Sequence, residues 1–214
     1  MRGREHMKRA NTAVALGLHT GYRETGVQLH GTVFFDMRDA RSGESLVEWQ
    51  KDNIITLDAG ILVARLCKDN AEPAHGINML AVGTGALGAV LNPDTPSNQQ
   101  RSLNQEIARK AFENTTFRDA QGAASSIATN VVDFTTVFNE SEAVGPLNEM
   151  ALLSTLSANA AITNPNPNTS GQGGQPYDPT IDVSQYDSEV NHLTFGAVVK
   201  PATAILSITW RISF

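Results

Sequence analysis

Alternation of apolar and polar positions along the chain predicts mainly β structure. The clearest case is the C-terminal run at residues 204–214 (AILSITWRISF). Its large apolar side chains occupy every second position: Leu206, Ile208, Trp210, Ile212 and Phe214. A period of two gives a strand one apolar face, which must be buried, so Trp210 is predicted to lie in the core.

Further strands are predicted where short apolar or alternating runs are bounded by turn residues. These runs are residues 27–37, 44–52, 77–82, 131–138, 147–156 and 192–199, and residues 103–117 are expected to be mostly extended. The first two form a predicted hairpin around the turn DARSG. In its second strand, Leu46 and Glu48 face one way, and Val47 and Trp49 face the other.

One short helix is predicted at residues 57–69. Its side chains at helical spacing form a stripe that is expected to lie on a sheet: Leu57, Ile61, Leu62, Arg65 and Leu66. Thr56 or Asp58 can serve as its N-cap by accepting a backbone N–H bond. About eight strands and one helix favour a mainly β fold with the architecture of a β-sandwich.

The chain divides by composition into an N-terminal arm at residues 1–26, a β-hairpin extension at 27–52 and a β-sandwich domain at 53–214. The arm is basic, with Arg2, Arg4, Lys8 and Arg9, and is expected to be disordered or ordered by a neighbouring subunit. Within the domain, residues 159–180 are rich in Asn, Pro and Gly, which predicts a long polar insertion loop.

Composition and charge exclude several classes of protein. The 214 residues carry a net charge of −6, which disfavours a general nucleic-acid binder. No apolar run reaches 18 residues, so no membrane partner is expected. The apolar stretch at residues 13–18 is too short to predict a signal peptide. Charged residues make up only 18%, which fits a β-rich or loop-rich protein better than a helix bundle.

Candidate chemistry is sparse. Residues 83–88 (GTGALG) match the GxGxxG pattern, but Pro93 and Pro96 prevent the helix that a dinucleotide site needs, so we interpret the glycines as a turn that ends a strand. Glu140, Glu142 and Glu149 follow a strand and could do acid–base work. No histidine is near them in sequence, and NESE at 139–142 is also typical of an exposed corner. We therefore assign no catalytic residue and no cofactor.

The remaining reactive side chains also favour structural roles. The five histidines lack metal-ligand spacing, so no metal site is predicted and surface or hairpin roles are expected: His6, His19, His30, His75 and His192. The single cysteine, Cys67, excludes an internal disulfide framework. It is interpreted as a small buried hydrophobe on the predicted helix, and the alternative is an intermolecular disulfide.

Four stretches, in this order, carry a resemblance to a known family: ITLDAG at 55–60, INMLAVGTG at 77–85, LNQEIAR at 103–109 and VDFTTVFNESEAVGPLNEMALL at 132–153. They resemble the N-terminal domain of phage tail-collar and tail-fibre proteins, and ITWRISF at 208–214 is similar to the ending of small phage structural proteins. The chain departs from the fibre pattern in its N-terminal arm and hairpin, and in having no repetitive shaft after the domain.

The resemblance implies a non-enzymatic virion structural protein, assembled in the host cytoplasm, that contacts other virion proteins and copies of itself as a trimer or hexamer. A tail, baseplate or collar component, or a fibre-attachment adaptor, is the leading expectation, and a capsid decoration protein is the alternative. Besides the four basic arm residues, the candidate partner contacts are Phe34, Trp49 and Tyr177. A more distant alternative is a glycan-binding module, for which Trp49 and Tyr177 would be the platform candidates.

Overall fold

The computed structural model describes residues 29–68, 76–86, 93–100, 102–155 and 188–214. They form two antiparallel sheets and one helix, α1 (Leu57–Lys68). The strands are β1 (His30–Asp39), β2 (Ser45–Asp52), β3 (Ile54–Ile55), β4 (Met79–Gly83), β5 (Glu106–Ala111), β6 (Asn114–Arg118), β7 (Ala124–Ser125), β8 (Val131–Phe138), β9 (Gly145–Ser154), β10 (Ser188–Lys200) and β11 (Ala204–Ser213).

The first sheet has six strands in the order β2-β1-β11-β8-β6-β7. The predicted hairpin is confirmed, because β1 pairs with β2 around a turn in which Gly43 has a φ of 72°. On its other side β1 pairs with β11 along its whole length, from His30 opposite Ser213 to Asp39 opposite Ala204. The hairpin that composition set apart as an extension therefore supplies two strands of this sheet.

The second sheet has five strands in the order β3-β10-β9-β4-β5. Almost every residue of β4 and β9, and the first eight residues of β10, are buried, so both faces of this sheet are covered there. Leu103 packs on the outer face against Ala81, Ala151 and Leu153. Continuous burial explains why β9 has a run of apolar residues where β11 has alternation.

The main core lies between the two sheets. The alternation of β11 is reproduced residue by residue, with buried and half-buried positions in turn from Ala204 to Ser213. Trp210 is fully buried, as predicted, and packs in one core cluster with Phe35, Leu80 and Met150.

The helix begins and ends within one residue of its predicted bounds and packs on β10. The predicted stripe is only partly right, because Leu57 and Leu66 are 47% and 41% exposed while Ala59 and Leu62 are buried. The strand β10 covers a narrower face than the apolar positions of α1 span. Thr56 directly precedes α1, but its hydroxyl donates to the carbonyls of Glu189 and Val190 on β10, so it fastens the helix start to the sheet.

The mainly β prediction and the β-sandwich architecture are confirmed. The described residues contain eleven strands instead of about eight, partly because β3 and β7 are only two residues long. In addition, the extended run at 103–117 supplies both β5 in the second sheet and β6 in the first, since the chain crosses between the sheets there. The insertion loop at 159–180 lies outside the described residues. In the described part, no helix has the length and apolar character needed to cross a membrane.

Candidate functional site

A carboxylate is enclosed where β4 ends. Glu149 of β9 is fully buried, and its Oε1 accepts backbone N–H bonds from Gly85 at 3.0 Å and Gln105 at 2.8 Å. Its Oε2 accepts the N–H of Asn104 at 3.0 Å. Gly85 has a φ of 70°, and a Cβ on Gly83 would lie 2.5 Å from Glu149 Oε1. Residues 83–85 of the glycine motif thus form a strand-ending turn, as interpreted, and the carboxyl group bound beside it is this chain's own Glu149.

Two opposing effects set the charge state of Glu149. Burial raises the pKa of its carboxyl group above the usual value, because a buried charge loses its hydration. The N–H bonds from Gln105 and Asn104 stabilise the charged form and limit that rise in pKa.

A histidine that is distant in sequence lies beside this carboxylate. His192 on β10 is 1% exposed, and its Nδ1 lies 2.7 Å from Oε1 of Glu189. Burial alone would lower the pKa of His192, but the charges of Glu189, Glu149 and Asp94 outweigh burial and raise it. The expected surface or hairpin role is therefore wrong for His192, because both faces of β10 are covered here.

The expectation holds for another histidine. His30 lies at the start of the hairpin strand β1, where its side chain is 61% exposed and its Nε2 is 3.5 Å from Oδ1 of Asp52.

The same region ties the segment at 93–105 to the outer face of the second sheet. Asp94 Oδ2 accepts hydrogen bonds from Asn104 Nδ2 at 2.7 Å and from the backbone N–H of Ala86 at 3.0 Å. The backbone carbonyl of Asp94 accepts the hydroxyl of Thr194 on β10 at 2.8 Å. These polar side chains thereby fix the connection between β4 and β5, whose described residues contain no helix or strand.

This cluster has the composition of an acid–base site but not its accessibility. A general acid or base must come within hydrogen-bond reach of a substrate. Glu149, Glu189 and His192 are 0–1% exposed, and they already bond to backbone N–H groups or to one another, so their chemistry is internal. No set of three or more His, Cys, Asp or Glu side chains in the described residues is arranged to hold a metal ion.

The other two candidate glutamates lie apart from Glu149, at the corner where the chain passes from β8 to β9. Glu142 Oε2 accepts a hydrogen bond from Lys110 Nζ at 2.8 Å, which lowers the pKa of Glu142. Lys200 Nζ donates to the backbone carbonyl of Glu140 at 3.3 Å. The interpretation of 139–142 as a strand-end corner is confirmed.

The outer face of the first sheet carries a row of charged and aromatic side chains. Asp133 accepts two hydrogen bonds from Arg211, at 2.7 and 2.9 Å, and one from Arg118 at 2.7 Å. Burial would raise the pKa of Asp133, but these bonds lower it. The guanidinium of Arg211 also lies over the ring of Phe34, 5.2 Å from its centroid. Phe34, a predicted partner contact, thus lies half-buried on this outer face.

Trp49, a second predicted contact, closes the edge of the core. Its ring stacks on Phe35 with centroids 4.7 Å apart, and Phe195 of the second sheet lies at 5.1 Å. Its neighbour Lys51 donates from Nζ to the carbonyl of Thr194 at 2.8 Å, which links the two sheets at this edge. Since these rings pack against Trp49, it is a poor flat platform for a sugar.

An open apolar groove of about 230 Å³ lies beside α1. Its lining residues include Leu29, Ile55, Leu62, Val63, Leu66 and Phe214, together with Asn191. Three of them remain substantially open to solvent, since Val63 is 44%, Leu66 41% and Phe214 46% exposed. A second hollow of about 240 Å³ continues the surface past Gly60. An exposed apolar groove of this kind is a candidate site of contact with another molecule.

The other predicted contact residues lie outside the described residues: Arg2, Arg4, Lys8, Arg9 and Tyr177. Cys67 lies near the end of α1, and a cross-link through it stays a prediction.

Sequence analysis missed both the groove and the buried polar cluster. The groove had a signal, because α1 carries Val63 in addition to the expected stripe and therefore has more apolar surface than one strand covers. The cluster had a weaker signal in residues 188–194 (SEVNHLT), where a strand that is buried on both faces is unusually polar.

No known protein family matches the chain, and neither does any curated protein sequence.

Proposed function

We propose that this protein is a non-enzymatic structural subunit of a bacteriophage particle, and specifically a tail, baseplate or collar component or a fibre-attachment adaptor. It would act through contacts with other particle proteins and with copies of itself. The observation that carries the proposal is the apolar groove beside α1. The order of the four sequence stretches that resemble phage tail-collar and tail-fibre domains supports the assignment to a phage particle.

The size of the exposed apolar surface indicates how much binding it can support. Full burial of one Val, Leu or Phe side chain contributes about 1.5–3 kcal/mol. Val63, Leu66 and Phe214, which line the groove, are each a little under half exposed, so covering all three contributes roughly 2–4 kcal/mol. A micromolar complex needs about 8 kcal/mol, so the groove is one part of a larger contact.

The same surface would serve a capsid decoration protein equally well, because the fold does not determine the position on the particle. A glycan-binding module is less well supported, since Trp49 packs against Phe35 and Phe195 at the edge of the core.

The test is the mass of the full-length protein in solution, measured by multi-angle light scattering with a reductant present so that Cys67 cannot cross-link copies. We expect a closed oligomer of three or six chains of 22.9 kDa each. The substitution Val63→Glu places a charge in the groove and should shift the mass towards a single chain. It should leave the circular dichroism spectrum of the folded chain unchanged, because Val63 faces solvent and Glu is a good helix former.

The matched control is Ile127→Glu, which changes an equally apolar side chain that is 75% exposed and is not one of the residues that line the groove. This variant should assemble like the unaltered protein. A monomeric unaltered protein at all concentrations would contradict the proposal, as would an oligomer that Val63→Glu leaves intact.

A further inference from the structure

The groove contains one buried polar side chain that lacks a partner. Asn191 is fully buried, and neither its Oδ1 nor its Nδ2 has a hydrogen-bond partner in the described part of the chain. The ladder between β10 and β9 is irregular between Glu189 and Asn191, and Asn191 then lies opposite Leu152, a core residue. This register turns the Asn191 side chain to the inner side of the sheet, and Asn191 is one of the residues that line the groove, with its amide directly beneath the groove surface.

The unpartnered amide indicates what kind of molecule the groove accepts. Leaving a buried donor or acceptor unpaired costs about 1–3 kcal/mol, so an occupant that pairs both atoms of Asn191 is favoured. A peptide group presents the matching C=O and N–H. The groove, at about 230 Å³, is larger than the cavity of about 150 Å³ that holds a benzene molecule, so it has room for apolar side chains beside a peptide backbone. The favoured occupant is therefore a short apolar peptide segment.

Such a segment is present in this chain. Residues 13–18 (AVALGL) place Val14, Leu16 and Leu18 at every second position. In an extended conformation these three side chains lie on one face, while the small Ala13, Ala15 and Gly17 lie on the other.

Charge also favours binding between this part of the chain and the rest. Residues 1–28 contain five basic and two acidic side chains, whereas the remainder contains 11 basic and 20 acidic ones. The net charges of the two parts are opposite in sign, so they attract each other.

The length of the connection allows the segment to reach another copy. Leu29, the first described residue, lines the groove, and ten residues separate it from Leu18. Ten extended residues span up to about 35 Å, which is the size of a small domain.

We propose that residues 13–18 of a neighbouring copy bind in the groove beside α1, with a peptide group hydrogen-bonded to the Asn191 amide. This inference rests on the proposed function, because it requires the copies to assemble. Binding of residues 13–18 also adds contacts to those of the exposed apolar side chains, which alone contribute too little for a stable interface.

The test traps the contact as a disulfide between two full-length chains of different size. Cys67 is replaced by Ser in both. One chain carries Leu16→Cys, and the other, enlarged by a tag, carries Val63→Cys. After mixing and mild oxidation we expect a mixed disulfide between the two chains. The control pair replaces Val63→Cys by Ile127→Cys and should give no mixed product.

A third variant tests the amide. Asn191→Leu, added to the Val63→Cys chain, keeps the groove apolar but removes both hydrogen bonds, so the yield of mixed disulfide should fall roughly tenfold. Its circular dichroism spectrum and unfolding midpoint check that the fold persists. An unchanged yield in a folded variant would contradict the role of Asn191.

The remaining outcomes separate this inference from the proposed function. A chain that carries both Leu16→Cys and Val63→Cys, and that forms only an internal disulfide without any mixed product, would show that residues 13–18 bind the groove of their own copy. That result would overturn their binding to a neighbouring copy. An oligomer by light scattering that gives no disulfide in any pair would overturn residues 13–18 as the occupant but leave the proposed assembly standing. A protein that is monomeric throughout would contradict both.

Discussion

At the scale of single residues, the second sheet is organised around charges that the chain satisfies internally. Glu149 accepts three backbone N–H groups, and His192 pairs with Glu189, all on strands that are buried on both faces. Buried ionised groups are tolerated only when they are hydrogen-bonded or paired. Glu149, together with Thr194 opposite it on β10, holds the segment at 93–105 in place, and Leu103 of that segment in turn covers part of the sheet.

Glu149→Gln should destabilise the fold. Oε1 and Oε2 both accept N–H bonds, so the amide NH₂ of Gln must face a donor at one of the two positions. The expected loss is about 1–3 kcal/mol in the free energy of unfolding, measured by urea denaturation. The matched change Glu140→Gln, in an exposed turn, should stay within about 0.5 kcal/mol of the unaltered protein. Equal effects for the two variants would contradict the role given to Glu149.

The raised pKa of His192 predicts a pH dependence of stability. A group whose pKa in the folded state lies above its ordinary value of 6.5 binds its proton more tightly when folded. Its contribution is fully present below pH 6.5 and is lost as the pH rises through the folded-state pKa. The raised pKa of Glu149 acts in the same direction at lower pH. The free energy of unfolding should therefore fall above about pH 6.5, with a slope of up to about 1.4 kcal/mol per pH unit for one proton.

Urea titrations between about pH 6 and pH 9 on His192→Asn measure that slope. At about pH 6 the variant should be less stable than the unaltered protein. Its free energy of unfolding should also change less with pH, since it has no imidazole to titrate. His30→Gln, which changes an exposed histidine, should keep the slope of the unaltered protein. A slope that survives in His192→Asn would show that another group is responsible.

At the scale of elements, the sequence predicts strands and helix well because their signals are local. The alternation of β11 and the β-branched run of β8 reflect burial of one face, which a period of two shows directly. The bounds of α1 are also local, set by apolar spacing after Thr56. The buried side of α1 depends instead on how much of it β10 covers, and no pattern within the helix encodes that. For the same reason the pairing of Glu149 with Gly85, 64 positions away, could not be predicted.

Substitutions at two glycines distinguish the effect of helix propensity on stability from the effect of close packing. Gly60 lies in α1 with no atom within 4 Å of the position of an added Cβ. Gly60→Ala should therefore stabilise the protein by about 0.5–1 kcal/mol, because Ala has less conformational freedom to lose. Gly83→Ala places a Cβ 2.5 Å from both the Gln105 carbonyl oxygen and Glu149 Oε1, and should destabilise the protein by roughly 1–3 kcal/mol. Thermal unfolding of both variants measures the contrast, and a shift of the same sign in both would contradict the packing described at Gly83.

At the scale of the whole molecule, the two sheets differ in what they leave exposed. The second sheet is covered on both faces in its central strands, whereas the first exposes its row of charged and aromatic side chains and the long edge strand β2. The groove beside α1 adds an apolar surface at one end of the sandwich. Composition could predict the β-sandwich, but a groove needs the relative positions of α1, β10 and β11, which only the fold supplies. Assembly through the groove and assembly through the β2 edge would therefore protect different backbone amides from solvent.

The most direct measurement is hydrogen–deuterium exchange of the full-length protein, compared between its assembled state and the single chain obtained by dilution. If the groove is the assembly surface, the backbone amides of α1 and the end of β11 will exchange more slowly in the assembly, while those of β2 will exchange equally in both states. Slower exchange confined to β2, with α1 unchanged, would contradict the account and place the contact at the edge of the first sheet.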